Sequence, residues 1–275
     1  MNAQLGVMQG RLVPKFEGRY QAHPIGYWQD EFALAAREGL SHIEFILDLD
    51  RIEENPLWSE EGRLEIRRVA AETGVAVHAI CADCFLEEPV WQGPASAAML
   101  PRVLEAAVQI RAGIVVMPVL EKATLPGPAA TEALVQVLHN ALDAVPGPRI
   151  ALETELSPEE TVRLLEAINH PRVGIAYDTG NHAAAGFSAR TDWAAYGANV
   201  IHVHLKDRPL GGGSVHLGEG GVDFPGLLDA MQAMEYDGVI TIQGYRDDEG
   251  VAVFRTQKAF VDRLLISAHQ TQTTP

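Results

Sequence analysis

At 275 residues and 47% hydrophobic side chains, the chain can bury one large core, and α/β barrels reach this length as single domains. Its formal net charge of −16 offers no counterion release against a phosphate backbone, which argues against nucleic acid as a partner. No apolar run is long enough to span a bilayer, and the start, "MNAQLGVMQGRL", lacks the basic segment and apolar stretch of an export signal, so a cytoplasmic protein without a membrane partner is expected.

Short apolar strand patterns recur along the chain. They fall at "LGVMQ" (5–9), "HIEFIL" (42–47), "VAVHAIC" (75–81), "GIVVMPV" (113–119), "RIALETE" (149–155), "VGIAYD" (173–178), "VIHVHLK" (200–206) and "GVITIQGY" (238–245). Between them lie helical patterns such as "EEGRLEIRRVAAETG", "TEALVQVLHNALDAV" and "SPEETVRLLEAINH", punctuated by Gly or Pro. Eight strand and helix alternations with no linker predict one α/β domain over residues 1–275, a parallel (β/α)8 TIM barrel. A doubly wound open sheet needs a Gly-rich phosphate turn after the first strand, and "MQGRLVP" is not one. Cys81 and Cys84, in "CADC", have no second pair to complete a zinc site, and they end a strand rather than open a helix. Reduced, structural thiols are the expectation.

In such a barrel, functional groups gather where the strands end. Alternation puts Ala151, Glu153 and Glu155 on one face of the fifth strand and Ile150, Leu152 and Thr154 on the other. Gly174, Ala176 and Asp178 oppose Val173, Ile175 and Tyr177. His202, His204 and Lys206 oppose Val203 and Leu205. Val239, Thr241 and Gln243 oppose Ile240 and Ile242. Glu153, Asp178, His204 and Gln243 therefore end four successive strands on the face that turns inward. Two carboxylates, an imidazole and an amide oxygen suit a divalent cation such as Mn, Mg, Co or Zn, which would also relieve the cost of burying two acids. His202, one pleat deeper, is expected to be a satisfied core histidine.

The strand ends "ALETE", "YDTGNH", "HVHLKDR" and "TIQGYR", with the loop "GGGSVHLGEGGVDFPGLLDAM", resemble the xylose isomerase-like TIM-barrel superfamily. This is the sugar phosphate isomerase and epimerase group that also contains the endonuclease IV type of DNA repair enzyme. The stretch "GVMQGRLVPKFEGRYQAHPIGYWQDEF" with "HIEFILD" is similar to a bacterial subfamily of predicted sugar phosphate isomerases. The resemblance implies metal ligation by Glu153, Asp178, His204 and Gln243. It implies substrate contacts at Glu44, His78, Arg208, His216 and Glu219.

Two departures qualify it. Epimerases of this group carry Glu at the fourth ligand and use two Glu as paired acid and base; Gln243 can ligate through its oxygen but cannot exchange a proton. They also carry His three residues after the Asp ligand, where this chain has Asn181, with His182 one step on. The mechanism implied is metal-assisted formation of an enediolate, with Glu153 as base and its partner acid among Glu44, His78 and Glu219. Glu44 could instead be a structural carboxylate paired with Arg11. The glycine-rich "KDRPLGGGSVHLGEGG", with Lys206 and Arg208, could hold a phosphate or merely a sugar hydroxyl. Arg11, Arg19 and Arg246 are further anion candidates, or ordinary ion pairs.

The expected reaction is isomerisation or epimerisation of a sugar or sugar phosphate. The same groups would support a lyase or dehydratase on a keto-sugar or cyclic polyol. A phosphodiesterase acting on abasic DNA would want a further Asp where Ser214 precedes His216. A non-catalytic sugar sensor sits badly with Glu153, Asp178 and His204 all in place. Homo-oligomerisation is compatible with each reading.

Overall fold

The computed structural model describes residues 4–247 and 250–272; residues 1–3, which begin the stretch inspected for an export signal, lie outside them. Eight parallel strands close into a barrel in the order β1 (Leu5–Met8), β2 (His42–Ile46), β3 (Ala76–Cys81), β4 (Ile114–Val119), β5 (Arg149–Thr154), β6 (Val173–Asp178), β7 (Val200–Leu205) and β8 (Val239–Ile242). Helices follow the strands and form the outer ring, the (β/α)8 arrangement expected from the alternation. Their ends are set locally. Ser59 caps the helix Glu60–Thr73 by accepting the Gly62 N–H, and Gly74, at φ 73°, ends it in the left-handed region. Ser157 and Glu160 form a reciprocal capping box around Pro158 at the start of Pro158–Ile168.

The alternating faces divide the core in two. Ile150, Leu152, Ile175, Tyr177, Val203 and Ile240 pack outward among the helices. Ala79, Ile114, Val116, Ala151, Ala176 and Ile201 fill part of the barrel interior. Space there is tight: a Cβ on Gly174 would lie 2.6 Å from the Asn199 carbonyl, and one on Gly6 would lie 2.0 Å from the His42 ring. Gly6 thus makes room for an imidazole inside the barrel.

Two register shifts interrupt the ladder. Between β2 and β3 the pairing steps from Ile43 with Val77 to Glu44 with Ala79, leaving His78 as the extra residue of a bulge. A second shift, at Ile175 and Ala176 against β7, leaves Asp178 opposite His204. Among the described residues no helix is long and apolar enough to cross a membrane.

Candidate metal centre and the mouth of the barrel

Glu153, Asp178 and His204 present ligand atoms that all lie within 4.8 Å of one another, and the three residues are buried. Each stands at the C-terminal end of its strand for a local reason. Asp178 is both the last residue of β6 and the cap of the helix Thr179–Ala184, where its Oδ1 accepts the Asn181 N–H at 2.9 Å. Gln243 lies one residue past β8, yet its N–H still bonds the Leu205 carbonyl at 3.0 Å and keeps it in register with β7.

His204 is held from below. Its Nε2 lies 3.0 Å from both oxygens of Glu44, and the His202 Nε2 lies 2.6 Å from Glu44 Oε2. The other His204 nitrogen, Nδ1, lies 3.7 Å from Glu153 Oε1 and has no hydrogen-bond partner although it is buried; Gln243 Oε1 is likewise buried without a partner. Buried polar atoms are rarely left unpaired. An unpartnered imidazole nitrogen, which a cation would relieve of its proton, an unpartnered amide oxygen at the next strand end and two carboxylates form a donor set that fits a divalent cation, and a carboxylate on the far nitrogen is the usual support of a ligating histidine.

The electrostatics follow the contacts. Burial alone would raise the Glu44 carboxyl, but the charges and hydrogen bonds of His204 and His202 hold it well below the usual range. Burial works against a charged His204, and Glu44 and Glu153 outweigh it to raise its pKa. Asp178 is lowered against its own burial by Lys206 and His204.

Above the centre opens a cavity of about 480 Å³ whose wall includes Glu153, Asn181, Lys206, Gln243, Gln21 and Asp83. Asn181 ties this wall together. Its Nδ2 donates to Glu153 Oε1 at 3.3 Å, while its Oδ1 accepts from Lys206 Nζ at 3.1 Å and from Arg208 Nη1 at 2.8 Å. Lys206 Nζ also reaches Asp178 Oδ2 at 3.3 Å.

Several expected site residues lie elsewhere. His182, one step after Asn181 on the helix, is turned into the core, where its Nδ1 lies 3.1 Å from Asp192 Oδ2 and its ring packs on Tyr177. His78 sits on the bulge three residues before the end of β3, with its ring 4.9 Å from that of His42, well below the mouth. Glu44 is fully buried under His204 and supports it rather than facing the cavity. The alternative pairing of Glu44 with Arg11 is not formed: Arg11 donates to the Gly244 and Tyr20 carbonyls and to Gln21 Oε1. His216 Nδ1 meets the Gln257 amide at 2.6 Å, and Glu219 stands exposed on the following loop.

The glycine-rich loop is already occupied by an anion of the chain itself. The N–H groups of Gly218, Gly220 and Val222 all donate to the Asp207 carboxylate, at 2.9 to 3.1 Å. Arg208 is likewise engaged, by Gly212 O, Asn181 and Glu155. Both cysteines are buried and free, although Cys84 opens the short helix Cys84–Glu87. The Cys81 thiol donates to Asp83 Oδ1 at 3.1 Å. Asp83 and Gln21 were not singled out in the sequence. The signal for Asp83 was an acid two residues past an apolar strand, close kin to Glu153 at the end of its own strand, but the flanking cysteines offered a competing motif.

A family model described as xylose isomerase-like TIM barrel matches residues 32–264. The chain belongs to that family. A curated relative, L-ribulose-5-phosphate 3-epimerase UlaE of Salmonella paratyphi A, is 24% identical over 235 residues, 78% of this chain and 81% of that protein. An uncharacterised protein of Methanocaldococcus jannaschii is 33% identical over 92 residues, so this chain spans 31% of that relative's length. Among solved structures, the IOLI protein with a bound zinc atom superposes with a TM-score of 0.73 at 16% identity, covering 95% of this chain and 97% of that one. One relative of this chain is thus named a sugar phosphate epimerase, and the fold is shared with a zinc-binding protein.

Proposed function

We propose that the protein is a divalent-metal-dependent isomerase or epimerase acting on an uncharged keto-sugar, with Glu153 as the base. One observation carries the reading: Glu153, Asp178 and His204 converge under an open cavity, with His204 Nδ1 and, at the next strand end, Gln243 Oε1 both buried and unpartnered. Glu153, Asp178, His204 and Gln243 would hold the cation, as the zinc of the structurally similar IOLI protein also suggests. When bound, the cation would polarise the substrate carbonyl and favour loss of the proton beside it. The chain does the rest. Asn181 orients Glu153 through its Nδ2, Glu44 fixes the ring of His204, and Lys206 balances Asp178 and offers a donor to a sugar hydroxyl.

Charge favours a neutral substrate over a phosphorylated one. The cavity wall carries Asp48, Asp50, Asp83, Glu87, Glu121 and Glu153 against Arg19 and Lys206. Arg19 is engaged by Asp48 at 2.8 Å and Asp50 at 3.6 Å, and the glycine-rich loop spends its N–H groups on Asp207. A phosphate would meet more carboxylates than cations. The test is elemental analysis of the purified protein, followed by incubation with keto-sugars and their phosphates in deuterated water. About one divalent ion per chain and solvent deuterium entering a neutral sugar beside its carbonyl are expected. Absence of bound metal with no thermal shift on adding Mn, Co, Mg or Zn would sink the reading.

A further inference from the structure

With Gln243 unable to exchange a proton and Glu44, His78 and Glu219 all outside the cavity wall, an epimerisation by Glu153 lacks its second proton carrier. The candidates are the other carboxylates of that wall. Asp48 is taken up by Arg19 and by the His23 N–H, Asp50 stands exposed on the rim against Arg19, and Glu87 is exposed and paired with Lys122. Glu121 is exposed at the outer edge. Asp83 differs from all of them. It is half-buried, two residues past β3, and the hydrogen bonds to its carboxylate come from neutral groups, the Cys81 thiol at 3.1 Å and the Gln21 amide at 2.8 Å. Gln21 in turn accepts from the Gln243 amide at 3.1 Å, so Asp83 is joined by one side chain to the position that departs from the family's pattern.

We propose that Asp83 is the catalytic acid opposite Glu153, supplying the proton exchange that Gln243 cannot. The proposal rests on the isomerase or epimerase reading of the same cavity. Glu153 takes the proton from the carbon beside the carbonyl, the C–H electron pair becomes a carbon–carbon double bond, and the carbonyl π pair moves onto oxygen. Asp83 then delivers its carboxyl proton to the same carbon from the other face, the double-bond pair forms the new C–H bond, and the carbonyl returns. Glu153 finishes protonated and Asp83 ionised, and exchange with water resets both. Burial raises the Asp83 carboxyl to about 6, with the charges of Asp48 and Glu153 adding to the rise against the bonds from Gln21 and Cys81. The neighbouring Arg11 is itself lowered, chiefly by burial. A carboxyl poised there can both give and take a proton near neutral pH.

The experiment uses the full chain loaded with Mn²⁺, in deuterated water, with unphosphorylated D-fructose, D-tagatose, D-psicose and D-sorbose. NMR reads deuterium in the recovered sugar and formation of its epimer separately, and metal content and melting temperature are measured for each variant. Asp83→Asn is expected to keep its metal and to keep washing deuterium into recovered substrate through Glu153, while epimer formation falls at least 10²-fold. Asp83→Glu is expected to recover epimerisation to within about tenfold of the parent, since it restores the proton with a longer reach. In the parent, epimerisation declines as rising pH ionises Asp83, and that limb is absent from the residual rate of Asp83→Asn. Epimer formation by Asp83→Asn at the parental rate, or failure of Asp83→Glu to recover it, overturns the role of Asp83 alone. A parent that exchanges no deuterium into any of these sugars overturns the isomerase reading and this role with it.

Discussion

Two clusters of carboxylates and imidazoles share His204. The upper one, Glu153, Asp178 and His204, leaves His204 Nδ1 without a partner and opens on the cavity through Glu153. The lower one, Glu44, His202 and His204, is closed by contacts of 2.6 to 3.0 Å and is wholly buried. Composition does not separate them, since each could in principle supply three ligand atoms. Access does. In the lower cluster Glu44 and the two Nε2 atoms are engaged with each other; His202 Nδ1 is left unpartnered, but neither Glu44 nor His202 lines the cavity, so the cluster acts as a support. In the upper cluster the unpartnered His204 Nδ1 lies near Glu153, which does line the cavity, so that cluster acts as a site.

The widest test of that division is Glu153→Gln, which keeps a coordinating oxygen but removes the proton acceptor. Turnover should fall by roughly 10² to 10⁴ while metal content, read by elemental analysis, changes little. Equal loss of both would mean that Glu153 matters only as a ligand. Next in size is a pH effect that contrasts Glu44 with another fully buried acid. Glu31 accepts the N–H groups of Gly10 at 2.7 Å and Leu12 at 2.9 Å, has no histidine partner, and is raised to about 7 by burial where Glu44 is lowered. Between its unfolded value near 4.5 and about 7 the folded protein retains a proton that the unfolded chain has lost, so stability falls as pH rises through that window. The loss is on the order of 3 kcal/mol at ~1.4 kcal/mol per pH unit. Denaturant melts at pH 4.5 and pH 8 should show Glu31→Gln gaining about that much relative to the parent; a constant difference would mean that Glu31 is ionised throughout.

The closed cluster is tested by Glu44→Gln. Glu44 touches no open position, yet its loss should weaken metal affinity about 10- to 100-fold, because the ring of His204 loses the carboxylate that orients it. Unchanged affinity, measured by competition with a chelator, would show that the two clusters are independent.

Much of this was legible from the sequence. Period-two alternation alone places Glu153, Asp178, His204 and Gln243 on inward faces, because side-chain direction in a regular strand is fixed by parity. Parity failed where regularity did. The bulge at His78 inserts a residue that no propensity announces, and the helix that starts at Thr179 turns Asn181 to the cavity and His182 to Asp192. The glycine-rich loop deceived for another reason: its amides look free until Asp207, one residue before the arginine offered for phosphate, is found to accept three of them. A glycine run shows that a backbone can form a nest and says nothing about which anion fills it.

The smallest effect is expected at Gln243, where the open cluster grades into its surroundings. Its Oε1 is free, but its Nε2 donates to Gln21 at 3.1 Å, so the side chain is half site and half support. Gln243→Ala removes both functions and should weaken metal binding, though less than the loss of a charged ligand would. Gln243→Glu keeps the oxygen, adds a negative charge against the cation and forfeits the amide donor, and the carboxylate would then face the oxygen of Gln21. Attraction to a divalent ion outweighs one neutral hydrogen bond, worth only about 1 kcal/mol net, so affinity should hold or rise. Gln21→Ala separates the two contributions: if Gln243 ligates, removing Gln21 leaves metal affinity within a few-fold of the parent. If affinity falls as far in Gln21→Ala as in Gln243→Ala, the amide belongs to the support and the cation is held by Glu153, Asp178 and His204 alone.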